Sequence, residues 1–510
     1  MNKAATAVLL FIVSGCALLG PHNYTSIDKI AWQDFTPFVG VDRDERILSE
    51  YPFLQNAPAY RLTLNISEDL ARITASEAVR YTNSTDRPIE AIDFLLLPNI
   101  SGKSMAVTHL SADGVDLPVA LIDDGLLLRL NFAHPLPRGK SSTITIGYTI
   151  EVPQSTAVGF GGLELANGTL TLGYAYPMIP STGRWDSGRP PAYGDLTANP
   201  ASFYLLQVSY PTGLELVSPG RLLHRSTHLG TQTALIAMGP SRDIFLQLAP
   251  AAELIGRTSG GVELRAEQPA GSAASAKAIL DAASYAIGLY SSLFGPYPYR
   301  ELTFVGARFD AYGLEFPGII LLTSRLFGDP NARVDGTPRR VLLEATVAHE
   351  VAHQWFYGLI GTNQLVEPWI DEGFAQYATY RYYLARYGAA GAQGFLRSLD
   401  ARIVHGGNPE LLIGGAVDSY TPREYSAAIY ARAPLFLIAL SERLGPELFD
   451  SFLLHLNATY RWRTMSGSEV KAAAEESCGC RLDNLWQKWV EPGPGGGHST
   501  TAAGVSTRKE

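Results

Sequence analysis

Basic residues are too few in this sequence to form a nucleic-acid-binding surface. The 510 residues include 40 Lys and Arg against 49 Asp and Glu, which gives a net charge of −9. Proteins that bind nucleic acid or anionic lipid through charge need clustered Lys and Arg. The composition, 46% hydrophobic and 17% charged, is that of a globular protein. We therefore expect no nucleic-acid partner.

Cysteine is scarce as well, with three residues in the whole chain. Cys478 and Cys480 are separated by one residue, so a local disulfide and two free thiols both fit the pair. A closed structural metal site usually needs four ligands. This pair is therefore a poor candidate for a metal site.

Long apolar runs are absent after the N-terminus. Residues 1–15 combine one basic residue with an apolar run over 4–13, which is typical of a signal peptide and is shorter than the roughly 20 residues of a transmembrane helix. The stretch VSGC at 13–16 resembles a bacterial lipobox, with cleavage before Cys16 and acylation of its thiol. We expect an exported protein, lipid-anchored at Cys16 to the periplasmic or cell-surface face of a bacterial membrane. Secretion after ordinary cleavage is the alternative.

The hydrophobic pattern divides the rest of the chain into two domains. After a lead-in over 16–55, alternating apolar residues in segments such as YRLTLNI indicate an all-β domain of saddle or sandwich type over 56–250. Helical spacing indicates a second domain over 251–490. Gly, Pro, Ser and Thr dominate 491–510, which we expect to be a disordered tail. The predicted fold class is multidomain α+β. Helices are expected at about 276–294, 340–357, 372–387, 433–444 and 447–457.

Two histidines are spaced four residues apart in TVAHEVAHQWF, residues 346–356. On a helix His349 and His353 would point the same way, so that both imidazoles reach one zinc ion at roughly 2.0–2.1 Å. Glu350 would miss the metal yet reach a water molecule beside it. This H-E-x-x-H pattern is typical of metallopeptidases in which the Glu is the general base. An ordinary helix with two hydrogen-bonded histidines is the alternative.

A catalytic zinc site needs a third protein ligand. In VEPWIDEGFAQYATYRYY, which indicates a helix beginning near Asp371, Glu372 follows His353 after 18 intervening residues. A loop between two helices could return this carboxylate to the metal. Glu372 could equally stabilise the N-terminus of its own helix.

Both halves together resemble the zinc aminopeptidases of the alanyl-aminopeptidase and leukotriene-hydrolase kind. In that family H-E-x-x-H is followed after 18 residues by the Glu of W-x-N-E-G-F-A. Trp369 and Glu372 match this pattern, while Asp371 replaces the usual Asn. The resemblance covers about 60–490. It implies a β domain followed by a thermolysin-like zinc peptidase domain with one zinc ion, ligands His349, His353 and Glu372, and the base Glu350.

The resemblance also implies substrate contacts. FDAYGLEFPGIILLT is similar to the family's G-x-M-E-N segment, with Gly313 and Glu315 at matching positions. The family's Glu binds the free α-amino group of a peptide, a role that suits a carboxylate because it forms a charge-assisted hydrogen bond. YSAAIYARAPLFLIAL resembles the segment that carries the family's catalytic Tyr. Tyr430 takes that position, and Tyr425 is the rival candidate for stabilising an oxyanion.

Two departures from the family pattern concern substrate binding. The β-domain segment that brings a Gln or Glu to the substrate amine reads LGYAYPMIP here, without such a residue. We also expect no large C-terminal helical domain, and hence a more open active site. The predicted function is a zinc aminopeptidase acting on peptides. A zinc endopeptidase, another zinc hydrolase and a membrane-anchored binding module on an inactive scaffold are the alternatives.

Overall fold

The computed structural model describes residues 26, 27, 32, 46–100, 102–154, 162–181, 183, 185, 189–191, 193–250 and 253–491. The predicted signal peptide, Cys16, much of the lead-in and the tail beyond 491 lie outside these residues. Within the described part of the chain, no helix is both long and apolar enough to cross a membrane.

The N-terminal domain is built from β-sheets. A short helix, α1 Arg46–Glu50, precedes it. The strands are β1 Ala59–Ile66, β2 Arg72–Thr82, β3 Ile89–Leu95, β4 Met105–Ala112, β5 Val115–Asp116, β6 Ala120–Ile122, β7 Leu127–Leu136, β8 Ser141–Glu151, β9 Leu163–Ala166, β10 Thr169–Gly173, β11 Ser202–Pro211, β12 Leu214–Val217, β13 Arg221–His228, β14 Thr231–Ser241 and β15 Phe245–Pro250.

One sheet of eight strands, ordered β13-β14-β11-β1-β2-β8-β4-β5, forms the body of this domain. Its central strands alternate as the sequence predicts: β1 and β8 bury every second residue, so that one face packs on a core with two smaller sheets, β12-β15-β10-β9 and β3-β7-β6. Strand β1 pairs in parallel with β11 and antiparallel with β2. The segment before β11 contacts the second domain, where the Thr197 hydroxyl donates to Oε1 of Gln364.

The second domain combines a five-stranded sheet, β16-β17-β18-β20-β19, with helices. Its elements are β16 Glu253–Ser259, β17 Val262–Gln268, α2 Ala273–Phe294, β18 Glu301–Ala307, β19 Gly313–Phe316, β20 Ile319–Thr323, β21 Arg333–Val334, β22 Thr337–Pro338, α3 Arg339–Ala352, α4 Pro368–Gly406, α5 Pro422–Ala427, α6 Ala433–Leu444, α7 Pro446–Tyr460, α8 Gly467–Cys478 and α9 Asp483–Trp489. The predicted fold class, an all-β domain followed by a helix-rich peptidase domain, is confirmed.

Two predicted helix boundaries are wrong. Helix α3 ends at Ala352 rather than near 357, because Tyr357 has a φ of 114° and its amide donates to the carbonyl of Ile360 instead of continuing the helix. Helix α4 begins at Pro368, three residues before the predicted start, since proline favours the first turn of a helix. The helix continues to Gly406 across a kink at Gly388, whose φ is 66°.

Arg242 joins the two domains. Its side chain is 1% exposed, and it donates to the carbonyls of Asn199, Tyr357, Leu359 and Arg463 at 2.6–3.0 Å. Three of these carbonyls belong to the peptidase domain. Burial lowers the pKa of Arg242 to about 10, which leaves it charged at neutral pH. The guanidinium therefore holds the loop after α3 against the β domain through charge-assisted hydrogen bonds.

Cys478 and Cys480 form a disulfide at the C-terminal end of α8. Of the two states that the sequence allowed for this pair, the structure has the bridged one.

Candidate active site

Three ligand atoms converge where α3 meets α4. His349 lies in the last turn of α3, His353 follows its end, and Glu372 lies near the start of α4. The two histidine Nε2 atoms are 3.1 Å apart, and Oε2 of Glu372 lies 3.1 Å from Nε2 of His349 and 3.7 Å from Nε2 of His353. Ligands at about 2.0–2.1 Å from a tetrahedral zinc ion are about 3.3–3.4 Å apart. The three separations therefore fit one zinc ion.

The hydrogen bonding of these atoms supports the same conclusion. Oε2 of Glu372 is buried and has no hydrogen-bond donor among the described residues. A buried acceptor without a partner costs free energy unless another group compensates it. A cation between this oxygen and the two imidazole nitrogens would do so. The structure thus brings together the three predicted ligands in a way that suits a metal.

A chain of hydrogen bonds orients His353 from behind. Its Nδ1 lies 2.7 Å from Oδ1 of Asp371, and Oδ2 of Asp371 accepts from Nε2 of Gln364 at 2.7 Å. Oε1 of Gln364 accepts from the backbone amide and hydroxyl of Thr197, which belongs to the β domain. Such a carboxylate fixes the tautomer and the direction of a ligating imidazole. Gln364 and Asp371 were not predicted as site residues. The sequence indicated only that Asp371 replaces the Asn usual in the similar family.

Glu350 points from α3 towards β19. A Cβ atom on Gly313 would lie 2.2 Å from Oε1 of Glu350, so only glycine lets strand and carboxylate approach this closely. Burial raises the pKa of Glu350 well above its usual range, and the nearby carboxylates Glu315 and Glu372 add to the effect. A carboxylate whose pKa is raised in this way is a stronger proton acceptor than one in water.

Glu315 lies on β19 and lines the same cavity as Glu350. Burial raises its pKa well above the usual range, an effect that the nearby His353 opposes and other carboxylates reinforce. A positive group placed beside Glu315 would offset the free-energy cost of burying its charged form. The placement fits the predicted contact with a substrate amine.

Asp195 was missed in the sequence and also lines this cavity. The loop that carries it comes from the β domain and is anchored on both sides. The Tyr193 hydroxyl donates to the carbonyl of Tyr420, and Thr197 binds Gln364. The β domain thus does bring an acidic residue to the site, although not from LGYAYPMIP. The only signal was one Asp in a Gly-containing loop.

Tyr430 lies in a π-helical turn, Ala428–Arg432, between α5 and α6. Such turns often occur at functional sites. The Tyr430 hydroxyl donates to Oε1 of Glu372, and its ring centroid is 6.1 Å from that of His349. The hydroxyl of the rival Tyr425 is buried without a hydrogen-bond partner among the described residues, and Tyr425 does not line the cavity. The geometry therefore favours Tyr430.

A cleft of about 1050 Å³ gives access to these groups. Its inner end contains the three ligands, Glu350 and Glu315. Its outer end is formed by the start of α3 and by the part of α4 after the Gly388 kink. Phe395, beyond the kink, stacks at 5.6 Å on Tyr383, which precedes it. Ser398 and Arg402 at this outer end are exposed to solvent.

The fold and the site define a gluzincin-type catalytic domain, with H-E-x-x-H on one helix and a Glu ligand on the next. Residues 279–489 match the model of the peptidase family M1 domain.

Curated relatives match parts of the chain. Aminopeptidase M1-A of Oryza sativa subsp. japonica is 25% identical over 247 residues, which are 46% of this chain and 27% of that protein. The chain thus spans about a quarter of the length of such relatives. Aminopeptidase N of Acetobacter pasteurianus is 24% identical over 344 residues, covering 65% of this chain and 92% of that protein.

Solved structures share the fold over most of the chain. The M1 zinc metallopeptidase from Deinococcus radiodurans covers 86% of this chain with a TM-score of 0.62 and 18% identity, and 94% of its own chain is covered. A mutant of that enzyme was crystallised with a Tyr-Ser-Ala substrate, again with a TM-score of 0.62 and 18% identity, over 86% of this chain and 95% of that one.

Proposed function

We propose that this protein is a zinc aminopeptidase that removes N-terminal residues from peptides. The observation that carries the proposal is the convergence of three ligand atoms beside a buried Glu, within a cleft whose inner end holds two further carboxylates. Zinc, the cofactor of this family, supplies a Lewis acid that polarises a carbonyl and makes water more acidic.

Glu350 is the general base in this proposal. Its carboxylate faces the cleft beside His349, within reach of a water molecule placed between the ligands and a peptide carbonyl. It takes a proton from that water and passes it to the leaving amine. Gly313 keeps the carboxylate in place, because a larger residue would occupy the same space.

Glu315 and Asp195 bind the free α-amino group. Both line the inner end of the cleft, one from β19 and the other from the β-domain loop. Two carboxylates attract an ammonium group more strongly than a neutral, acetylated nitrogen. They place the scissile bond one residue away from the chain start, which makes the reaction an N-terminal cleavage.

Tyr430 stabilises the oxyanion. Its hydroxyl donates to Glu372, and the residue lines the same cleft as Glu315, so the hydroxyl is a preorganised donor at the site. A donor that is already oriented when charge develops on the carbonyl oxygen lowers the barrier. The names of the relatives, all aminopeptidases, and the tripeptide bound to the Deinococcus enzyme agree with a peptide substrate.

The test compares short peptides that carry free or N-acetylated amino termini, using the full-length chain with zinc. Cleavage of the free peptides alone, one residue at a time from the N-terminus, is the expected result. Equal cleavage of both sets would indicate an endopeptidase. No cleavage of either, with zinc bound, would favour a binding module on an inactive scaffold.

We also propose a lipid anchor at Cys16, which rests on the lipobox-like stretch VSGC alone. Expression in bacteria that are fed an alkyne-labelled fatty acid should label the wild-type chain and not C16S. Equal labelling of both chains, or of neither, would argue against the anchor.

A further inference from the structure

The cleft is charged unequally along its length. Four carboxylates that line it belong to the metal end: Asp195, Glu315, Glu350 and Glu372. A fifth, Asp310, is exposed. Arg402 is the single Lys or Arg among the described residues that line the cleft, and it lies on α4 beyond the Gly388 kink.

Arg402 has no carboxylate partner among the described residues. Its Nη1 donates to Oγ of Ser426 at 3.0 Å, and its guanidinium lies 5.6 Å from the ring centroid of Tyr430. By contrast, Arg381 is paired with Asp450 and Arg386 with Glu344. The guanidinium of Arg402 therefore keeps donors available for an anion inside the cleft.

The contacts of Tyr430 set an upper limit on the distance between Arg402 and the ring of His349. Its guanidinium is 5.6 Å from the Tyr430 ring, which is 6.1 Å from the ring of His349. Together these two lengths limit the separation of Arg402 from the His349 ring to about 12 Å. In an extended tripeptide the terminal carboxylate lies about 7 Å beyond the first carbonyl, at about 3.3–3.6 Å per residue. An ion pair adds about 4 Å to that reach.

We propose that Arg402 binds the C-terminal carboxylate of a peptide of about three residues while the carboxylates at the metal end bind its ammonium group. The cleft then selects short peptides with both termini free. This inference rests on the proposed aminopeptidase function and adds its substrate class. A carboxylate could also come from an acidic side chain, so the experiment separates these two sources.

The experiment measures kcat and KM of the full-length zinc enzyme on Leu-Ala-Ala, its C-terminal amide, and the amide of Leu-Ala-Glu. We expect kcat/KM to be about fivefold higher for the free acid than for its amide, mainly through KM, as suits a partly exposed ion pair. The preference should weaken at high salt. In R402Q the two values should become equal, and R402K should retain part of the preference.

R397Q is the matched control, because Arg397 is exposed on the same helix and does not line the cleft. It should show the wild-type preference. An equal rate for acid and amide in the wild type, or the same preference in R402Q, would overturn the inference and leave the proposed function standing. If the amide of Leu-Ala-Glu were cleaved with the same kcat/KM as free Leu-Ala-Ala, a side-chain carboxylate would satisfy Arg402. That result would overturn the assignment to the terminal carboxylate. Hydrolysis of none of the peptides would overturn both proposals.

Discussion

Oδ1 of Asp371 lies 2.7 Å from Nδ1 of His353, on the side of the imidazole opposite to its ligand nitrogen. Asp371 is itself held by Gln364, which binds the β domain through Thr197. The carboxylate makes the imidazole more basic and fixes its plane. We therefore expect zinc affinity to depend on Asp371, a residue that is not among the predicted ligands.

D371N tests this dependence. Asparagine keeps the shape of the side chain and removes its charge, so we expect about tenfold weaker zinc binding with an unchanged fold. Competition with a chromogenic chelator measures the affinity, and circular dichroism checks the fold. Equal affinities for the variant and the wild type would show that the charge of Asp371 is not needed.

E350Q should lower kcat by about 10²- to 10⁴-fold, because an amide cannot accept the proton. The metal should stay bound, since Glu350 is not among the three ligands, and zinc content is measured on the same sample. E476Q is the control, because Glu476 is exposed on α8 and does not line the cleft. A variant that retained activity would contradict the role of Glu350 as base.

G313A should move the carboxylate of Glu350. The added methyl group would lie 2.2 Å from Oε1, and a displacement of about 1 Å can cost about 10²-fold in rate. G288A is the control, because a Cβ atom at Gly288 in α2 meets nothing within 4 Å. We expect kcat to fall in G313A and to stay unchanged in G288A. A fully active G313A enzyme would mean that the base tolerates another position.

Y430F and Y425F separate the two candidate tyrosines. Y430F removes a hydroxyl that faces the cleft, so kcat should fall by about 10²- to 10³-fold. Y425F removes a buried hydroxyl that has no hydrogen-bond partner in the described part of the chain, so its effect on kcat should be less than about threefold. The opposite order of effects on kcat would reassign the oxyanion donor to Tyr425.

D243N should change how stability depends on pH. Burial raises the pKa of Asp243 to about 7, although the hydroxyl of Tyr357 and the guanidinium of Arg242 favour its charged form. The folded state therefore holds a proton that the unfolded state releases, and stability falls as the pH rises from about 4 to about 7, by up to about 4 kcal/mol.

Asparagine does not titrate, so D243N should not show the loss of stability that Asp243 causes as the pH rises. We expect the difference in thermal midpoint, variant minus wild type, to be more positive at pH 8 than at pH 5. The difference isolates Asp243 because the other buried acids titrate in both proteins. A difference independent of pH would place the pKa of Asp243 near its ordinary value.

The sequence predicted the candidate metal ligands from a local pattern together with the family resemblance. A spacing of four directs His349 and His353 to the same side of one helix turn, and the resemblance added Glu372 after 18 intervening residues. The period of two in β1 likewise identified a strand with one buried face. The histidine pair and the strand pattern can both be recognised without knowing how distant segments pack.

The features that the sequence did not predict depend on tertiary contacts. Helix α3 stops at Ala352 because Tyr357 adopts positive φ, and the Tyr357 hydroxyl binds Asp243 more than a hundred residues earlier. Asp195 reaches the cleft because its loop binds Tyr420 and Gln364 from another domain. No periodicity within a short segment indicates such contacts. Such contacts become visible only in the three-dimensional structure, where both partners have positions.

The hydrogen bond between Thr197 and Gln364 has a practical consequence for protein engineering. A fragment that contains the peptidase domain alone would lack the loop with Asp195, the Thr197 that binds Gln364, and Arg242, which binds three carbonyls of the peptidase domain. Grafting this catalytic domain onto a foreign β domain would therefore transfer the zinc ligands without a complete site. Chimeras should keep residues 193–199 and Arg242 together with the domain that they support.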